Sequence, residues 1–132
     1  MIKGSQSQVR LDTVHRDLKT VVLAVALKRD IIVICGHRGE KAQNEAFERG
    51  ASGKRWPDGK HNTFPSDAVD IAPYPWNPND IPSFEKLRVE MFKEAALCGV
   101  PIRWGGDWDR DGVRERKEND LVHYERITRS TE

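Results

Sequence analysis

Two separate blocks of the chain hold residues whose types and spacing suit metal chemistry. The first block, GKHNTFPSDAVDIAPY, places His61 in a loop rich in turn residues and Asp70 inside a short apolar strand. A carboxylate in such a strand needs a charged partner or a metal ion, because unpaired charges are rarely buried. The second block, NDLVHYER, supplies Asp120 and His123 at D-x-x-H spacing beside apolar residues.

These four side chains predict a hydrolytic zinc centre. His61, Asp70 and His123 would supply two imidazoles and one carboxylate, which leaves the fourth zinc position to a water molecule. Zinc lowers the pKa of such a water to about 7 and polarises a substrate carbonyl. Asp120 would be the base that takes the proton and returns it to a leaving amine. Taken singly, each residue has a plainer interpretation, such as an exposed loop histidine or a capping aspartate.

The two blocks resemble the VanY-like zinc D-alanyl-D-alanine carboxypeptidases. Within that group they are most similar to the phage endolysins that cut the L-alanyl-D-glutamate bond of peptidoglycan. The family pattern is a histidine, a short insert, A-V/I-D-h-A-P and, much later, D-x-x-H-h-E, where h is apolar. This chain has His61, AVDIAP at residues 68–73 and DLVHYE at residues 120–125, although Pro65 lies in an insert two residues longer than usual.

The resemblance also implies roles for residues that spacing alone leaves open. Asp120 would point away from His123 on one continuous strand, and only the resemblance implies that it reaches the metal-bound water. Arg38 and Gln43 match a G-x-R-x-x-x-x-Q segment of the family. Arg38 is therefore expected to be catalytic and to bind substrate, holding a carboxylate or the developing oxyanion. Gln43 is expected to bind substrate, and the alternative for Arg38 is a surface salt bridge with Glu40 or another acid.

An acidic segment before the second block predicts a calcium site. It matches the pattern D-x-D-x-D-G-x5-E, in which alternating carboxylates converge on one cation. Some relatives carry a calcium-responsive acidic loop at this place, so activity would depend on calcium. The alternative is an acidic surface loop that pairs with nearby basic residues. The four carboxylates are those of Asp107, Asp109, Asp111 and Glu118.

Length and composition restrict the class of protein. A chain of 132 residues predicts one domain, residues 1–132, with residues 1–8 frayed. The formal net charge is only +1 and the basic residues are dispersed, which argues against nucleic acid as a partner. The longest apolar run, residues 21–27, is far shorter than the roughly 20 residues of a membrane span. Cys35 and Cys98 lie in apolar segments and are expected to be reduced core residues.

The pattern of elements predicts an α+β fold. We expect a small, mainly antiparallel sheet that carries the metal site and packs against about three helices, and the family resemblance implies the same fold. The first helix is expected to start at Leu11 and end before Asp30, and the third is expected to be capped by Ser83. The remaining expected elements are a helix over residues 40–49 and strands over 31–35, 68–72, 100–104 and 121–127.

The resemblance implies an enzyme that hydrolyses the L-alanyl-D-glutamate bond of the peptidoglycan stem peptide. It is expected to be monomeric and to bind zinc, with calcium as a second cofactor. Without a signal peptide or a membrane-inserting segment, it would remain in the host cytoplasm until the membrane is permeabilised. The alternatives are a D-alanyl-D-alanine carboxypeptidase or dipeptidase, a catalytically silent zinc-fold module that binds the wall, and a calcium-binding interaction domain.

Overall fold

A five-stranded sheet forms the centre of the molecule. The computed structural model describes residues 1–112 and 120–128. The strands are β1 (Ile2–Lys3), β2 (Ile31–Cys35), β3 (Ala68–Pro73), β4 (Ile102–Trp104) and β5 (His123–Arg126), in the spatial order β1-β2-β3-β5-β4. β1 runs parallel to β2, and every other neighbouring pair is antiparallel. The predicted α+β class with a mainly antiparallel sheet is confirmed.

Four α-helices accompany the sheet within the described residues. They are α1 (Ser7–Leu11), α2 (Arg16–Ala26), α3 (Glu40–Glu48) and α4 (Ile81–Cys98), and a 3-10 turn covers Lys60–Asn62. The prediction of about three helices merged α1 and α2 into one. The chain turns between them because His15 caps α2, its Nδ1 accepting a hydrogen bond from the Asp17 amide at 3.1 Å.

The N-terminal residues pair with the sheet, so the prediction that residues 1–8 are frayed is wrong. β1 places Ile2 opposite Ile31 in parallel register. Ser7 is buried at the start of α1, and its hydroxyl accepts a hydrogen bond from the Val33 amide at 3.0 Å. A strand of two residues is too short to show periodicity, which explains why the sequence did not reveal it.

The α4 helix differs from its prediction at its first turn. Asp80, not Ser83, is the N-cap, and its carboxylate accepts hydrogen bonds from the Ser83 amide at 3.3 Å and the Ser83 hydroxyl at 2.6 Å. The helix ends as predicted at Gly99, whose φ of 69° is left-handed. Cys98 is exposed on the last turn, so the prediction that it belongs to the core is wrong.

The hydrophobic core lies between the sheet and the inner faces of α2 and α4. Trp104 and Tyr124 are fully buried there and stack with ring centroids 6.3 Å apart. Trp104 Nε1 also donates a hydrogen bond of 2.8 Å to the Leu121 carbonyl, which fixes the turn that leads into β5. Among the residues that the structure describes, no helix has the length and apolar character needed to cross a membrane.

Candidate metal centre and catalytic cleft

Strand pairing brings the two sequence blocks together. The register of β3 and β5 places Asp70 directly opposite His123, so both side chains lie on the same face of the sheet. His61 comes from the 3-10 turn, which is held against the loop after β2 by a 2.7 Å hydrogen bond from the Arg38 amide to the His61 carbonyl. Three segments that are distant in sequence thereby meet at one point.

Two of the predicted zinc ligands, the imidazoles, converge on a carboxylate oxygen of the third. His61 Nε2 lies 3.1 Å and His123 Nδ1 lies 3.3 Å from Asp70 Oδ1. All three residues are buried, with exposed fractions of 5% for His61 and 8% for the other two. Donor atoms that bind one tetrahedral zinc at about 2.0–2.2 Å lie about 3.3 Å apart. The two observed separations, both measured from Asp70 Oδ1, fit donor atoms of one zinc ion.

The hydrogen bonds behind the imidazoles orient both rings for metal binding. His61 Nδ1 lies 2.7 Å from the Gly36 carbonyl oxygen, and His123 Nε2 lies 2.9 Å from Glu125 Oε1. A carbonyl or an ionised carboxylate can only accept, so each of these nitrogens donates its N–H. The inner nitrogens of the neutral rings then direct lone pairs at Asp70. A cation or additional protons must lie among these lone pairs.

In the metal-free protein, protons meet this demand for positive charge. Burial disfavours the imidazolium of His61, but the hydrogen bond and charge of Asp70 outweigh it and raise the pKa of His61 to about 10. The pKa of His123 is also raised, because its bonds to Asp70 and Glu125 outweigh its burial. Burial opposes the ionised form of Asp70, yet the two imidazoles hold its pKa well below the usual range. The cluster is thus built to hold a cation.

Behind His123 lies an ion pair that the sequence analysis missed. Arg103 Nη2 donates a 2.8 Å hydrogen bond to Glu125 Oε2. Burial favours the protonated form of Glu125, but His123 and Arg103 lower its pKa, so it remains ionised. Arg103 also lies over the Trp108 ring at 5.2 Å. Strand alternation was the signal available in the sequence. His123 and Glu125 are two residues apart on one strand, so their side chains lie on the same face of the sheet.

Asp120 lies in the turn before β5, the place from which it can reach the metal centre. Its carbonyl accepts a 3.2 Å hydrogen bond from the His123 amide, and its own amide donates to the Gly105 carbonyl at 3.3 Å. A Cβ on Gly105 would lie 2.1 Å from the Asp120 carbonyl oxygen, so this approach requires glycine. Burial of the Asp120 carboxyl raises its pKa, although the charge of His123 opposes the shift. A raised pKa suits a general base.

Arg38 reaches the metal centre from the loop between β2 and α3. Its Nη2 lies 3.7 Å from Asp70 Oδ2 and 3.7 Å from Cys35 Sγ. Its side chain is 19% exposed, and its carboxylate neighbour is Asp70, not Glu40. The guanidinium therefore lies beside the candidate metal centre and borders the same cleft.

Gln43 is 1% exposed, and its oxygen accepts hydrogen bonds from Arg38 Nη1 at 3.2 Å and Asn62 Nδ2 at 2.9 Å. Its nitrogen is likewise bonded to protein atoms. Direct contact between Gln43 and substrate stays a prediction from the resemblance, and the observed bonds are all made within the protein.

Cys35 borders the metal centre instead of lying in the core, so that prediction is wrong. It is half-buried at the end of β2, where a bulge separates it from Val33 and pairs it with Asp70. Its Sγ and one ligand atom each of His61 and Asp70 lie within 4.8 Å of one another. Zinc accepts all three ligand types. His61 and Asp70 therefore have two candidate partners, because Cys35 completes this group of three and His123 contacts Asp70 from β5.

The acidic segment forms a turn in which three carboxylates meet. Asp107, Asp109 and Asp111 each place an oxygen within 4.8 Å of the others. The Asp107 carboxylate accepts hydrogen bonds from the amides of Asp111 at 3.2 Å and Gly112 at 2.8 Å, and Gly112 has a φ of 84°. Such bonds stabilise an acidic turn without any metal. Glu118 lies outside the described residues, and calcium binding stays a prediction.

A cleft of about 1210 Å³ opens over the metal centre. Residues 51–55 and 58–60 line it, together with Arg103 and Trp108. A second hollow, of about 1010 Å³, lies along α3 and contains none of the predicted site residues. The cleft is large enough for a peptide. The predicted site residues that border it are His61, Asp70, His123, Asp120, Arg38 and Gln43.

An α+β sheet with two histidines and a carboxylate at a peptide-sized cleft is an arrangement that suits a metal-dependent peptidase. The model of the phage L-alanyl-D-glutamate peptidase family matches residues 2–127, and the chain belongs to this family. The resemblance seen in the sequence is thereby confirmed.

One solved structure shows how widely the fold is shared. The crystal structure of the L-Ala D-Glu endopeptidase ChiX of Serratia marcescens is similar over 98% of this chain and 92% of that chain. Its TM-score is 0.76 and its sequence identity is 23%, a likeness that establishes a common fold. A search of the curated proteins found no match to this chain.

Proposed function

We propose that this chain hydrolyses the L-alanyl-D-glutamate bond of the peptidoglycan stem peptide with a zinc ion held by His61, Asp70 and His123. The observation that carries the proposal is the convergence of both inner imidazole nitrogens on Asp70 Oδ1, at 3.1 and 3.3 Å. Family membership supports the choice of bond. We favour His123 over Cys35 as the third ligand because Glu125 holds its outer N–H in the way that metal-binding histidines require.

The bound zinc would polarise the scissile carbonyl and lower the pKa of the attacking water. Asp120 borders the cleft beside these residues, and its raised pKa makes its carboxylate a stronger base toward that water. The same carboxyl then returns the proton to the leaving amine. Arg38 donates to the charge that develops on the substrate oxygen, or to a free carboxylate of the stem peptide.

Metal analysis and digestion of purified peptidoglycan test this proposal. We expect about one zinc per chain, since one set of three ligands holds one ion, and new amino termini on D-glutamate. Release of D-alanine would instead support the carboxypeptidase alternative. Zinc binding without any cleavage would support a silent wall-binding module. The same metal analysis checks the calcium prediction, because a bound calcium would appear beside the zinc.

Substitution of the proposed base separates catalysis from metal binding. Asp120→Asn keeps the size of the side chain but removes its basicity, so we expect retained zinc and a rate lower by about 10²–10⁴. Full activity in this variant would overturn the role of Asp120.

For the ligand set, His123→Ala is expected to lose zinc and Cys35→Ser is expected to keep it. The reverse pattern would favour Cys35 as the third ligand.

We also propose that the enzyme acts as a monomer. It would reach the cell wall from the host cytoplasm once the membrane is permeabilised. Sedimentation of the purified protein checks the first statement. Lysis of intact cells only after their membranes have been permeabilised checks the second.

A further inference from the structure

A single buried side-chain amide, that of Gln43, forms hydrogen bonds with four groups at the catalytic cleft. Gln43 lies on α3, and its oxygen holds both the guanidinium of Arg38 and the amide nitrogen of Asn62. Its nitrogen donates to Ser52 Oγ at 2.9 Å and to the Lys54 carbonyl at 2.6 Å. A carboxamide has two acceptor positions and two donor positions, and all four are used here.

The donor side of the amide fixes residues 51–56, which we call the cleft segment. Ser52 Oγ and the Lys54 carbonyl both belong to it, and so does the Trp56 amide, which donates to Asn44 Oδ1 at 3.0 Å. Gln43 and Asn44 thus hold the same segment against α3 from consecutive positions. Gln43 also accepts a hydrogen bond from Arg38, so variants at the two positions separate the effect on Arg38 from the effect on the cleft segment.

The acceptor side of the amide fixes the groups beside the metal. Asn62 directly follows the proposed ligand His61, and its nitrogen donates a second bond to the Arg38 carbonyl at 3.1 Å. Its oxygen accepts from the Gly59 amide at 2.8 Å. A Cβ on Gly59 would lie 2.8 Å from that oxygen and 3.1 Å from Gln43 Oε1, so no larger residue fits without a shift.

We propose that Gln43 is a positioning residue that acts through Arg38, and that it does not contact substrate. The inference rests on the proposed function, in which Arg38 touches the substrate. A fully bonded buried amide is rigid, since any movement would leave a polar group without a partner. Gln43 would therefore hold the guanidinium beside Asp70 and keep the cleft segment at a fixed distance from the metal centre.

A double-mutant cycle between Gln43 and Arg38 tests the coupling. Gln43→Met keeps an unbranched side chain of similar length but removes all four hydrogen bonds. We expect it to lower kcat/KM about 10- to 100-fold, the usual effect of losing a group that orients a site residue. Because part of the loss acts through Arg38, adding Gln43→Met to Arg38→Ala is expected to lower kcat/KM by clearly less than Gln43→Met does alone, leaving about the loss that release of the cleft segment causes in Asn44→Ala. Fully additive losses would mean that Gln43 does not act through Arg38 and would overturn the proposal.

Asn44→Ala is the matched control for this cycle. It also removes a bond to the cleft segment, but it leaves the bonds of Arg38 intact. Its effect on kcat/KM is therefore expected to add to that of Arg38→Ala. Gln43→Glu separates the two sides of the amide, because it keeps the acceptor toward Arg38 and loses the donors. It should retain more of kcat/KM than Gln43→Met, and an equal loss in both variants would contradict the coupling through Arg38.

Limited trypsin digestion gives a readout that needs no peptidoglycan hydrolysis. Lys54 and Arg55 are exposed cleavage sites within the cleft segment. Release of the segment from α3 should speed cleavage there in Gln43→Met, Gln43→Glu and Asn44→Ala, with the zinc content unchanged. Wild-type resistance in Gln43→Met would overturn the proposal. If the wild type is inactive on peptidoglycan but the variants are still cleaved faster than the wild type, the proposed function is refuted and the attachment of the segment stands.

Discussion

At the scale of single residues, the metal centre depends on the groups behind its ligands. His61 donates to a backbone carbonyl, which substitution cannot remove, whereas His123 donates to the side chain of Glu125. Glu125 is held in turn by Arg103, and it is 3% exposed. Such outer partners fix the tautomer and the ring orientation of a ligand and increase its basicity.

Glu125→Gln tests this arrangement at the residue scale. The change keeps the size of the side chain and removes its charge, so we expect zinc affinity to fall about 10- to 100-fold. Competition with a chelator measures the affinity. Asp67→Asn is the matched control, because Asp67 forms a similar 2.8 Å ion pair with Arg126 at the end of the same strand. Equal affinities in the two variants would show that Glu125 does not support His123.

At the scale of secondary-structure elements, strand register and the turn before β5 place the reacting groups. The antiparallel pairing of β3 with β5 sets Asp70 opposite His123. The turn after β4 then brings Gly105 against the Asp120 backbone, with the Gly105 amide donating to the His123 carbonyl at 2.8 Å. Base and ligand therefore share one short segment whose shape depends on the absence of a side chain at residue 105.

Gly105→Ala tests this dependence at the element scale. The new Cβ would meet the Asp120 carbonyl at 2.1 Å, and the atom it meets belongs to the backbone, so the segment must shift. We expect a loss of about 1–3 kcal/mol in the free energy of unfolding and a clear loss of hydrolysis. Urea unfolding and peptidoglycan digestion measure the two effects. Gly39→Ala is the control, because nothing lies within 4 Å of its added Cβ, and equal effects would contradict the argument.

At the scale of the whole molecule, the charge of the metal centre links stability to pH. The pKa of His61 is raised from 6.5 to about 10 in the metal-free protein. A raised pKa contributes stability that is complete below the unfolded value and is lost as the pH rises through the folded value. The depressed pKa of Asp70 acts in the opposite sense, because its contribution to stability is complete above the unfolded value of 3.8 and is lost as the pH falls below it.

Zinc should reverse this dependence, because it binds the neutral imidazoles and competes with their protons. We expect the Tm of the chelated protein to fall between pH 6.5 and about 10, the range set by His61, while the increase in Tm on adding zinc grows. Thermal unfolding of both forms across this range checks the expectation. An increase that stays constant with pH would show that protons and zinc do not share the site.

Much of the site could be predicted from the sequence because its signals are local. AVDIAP indicates a strand with a buried charge, and the D-x-x-H block follows in the order expected for a zinc peptidase. The central strands and the end of α4 at Gly99 were likewise predictable from short-range patterns. The break between α1 and α2 was not, since the apolar spacing continues through the turn at His15.

By itself, then, the sequence determined the types of the candidate ligands, their order and the fold class, because these depend on residue type and periodicity along the chain. Only the tertiary structure decided the neighbours of those residues. It placed Cys35 beside the ligands, Arg103 behind Glu125, Trp104 in the core and Trp108 at the cleft. It also gave Gln43 its four partners. Such contacts join segments far apart in sequence, and their register depends on how the whole sheet packs.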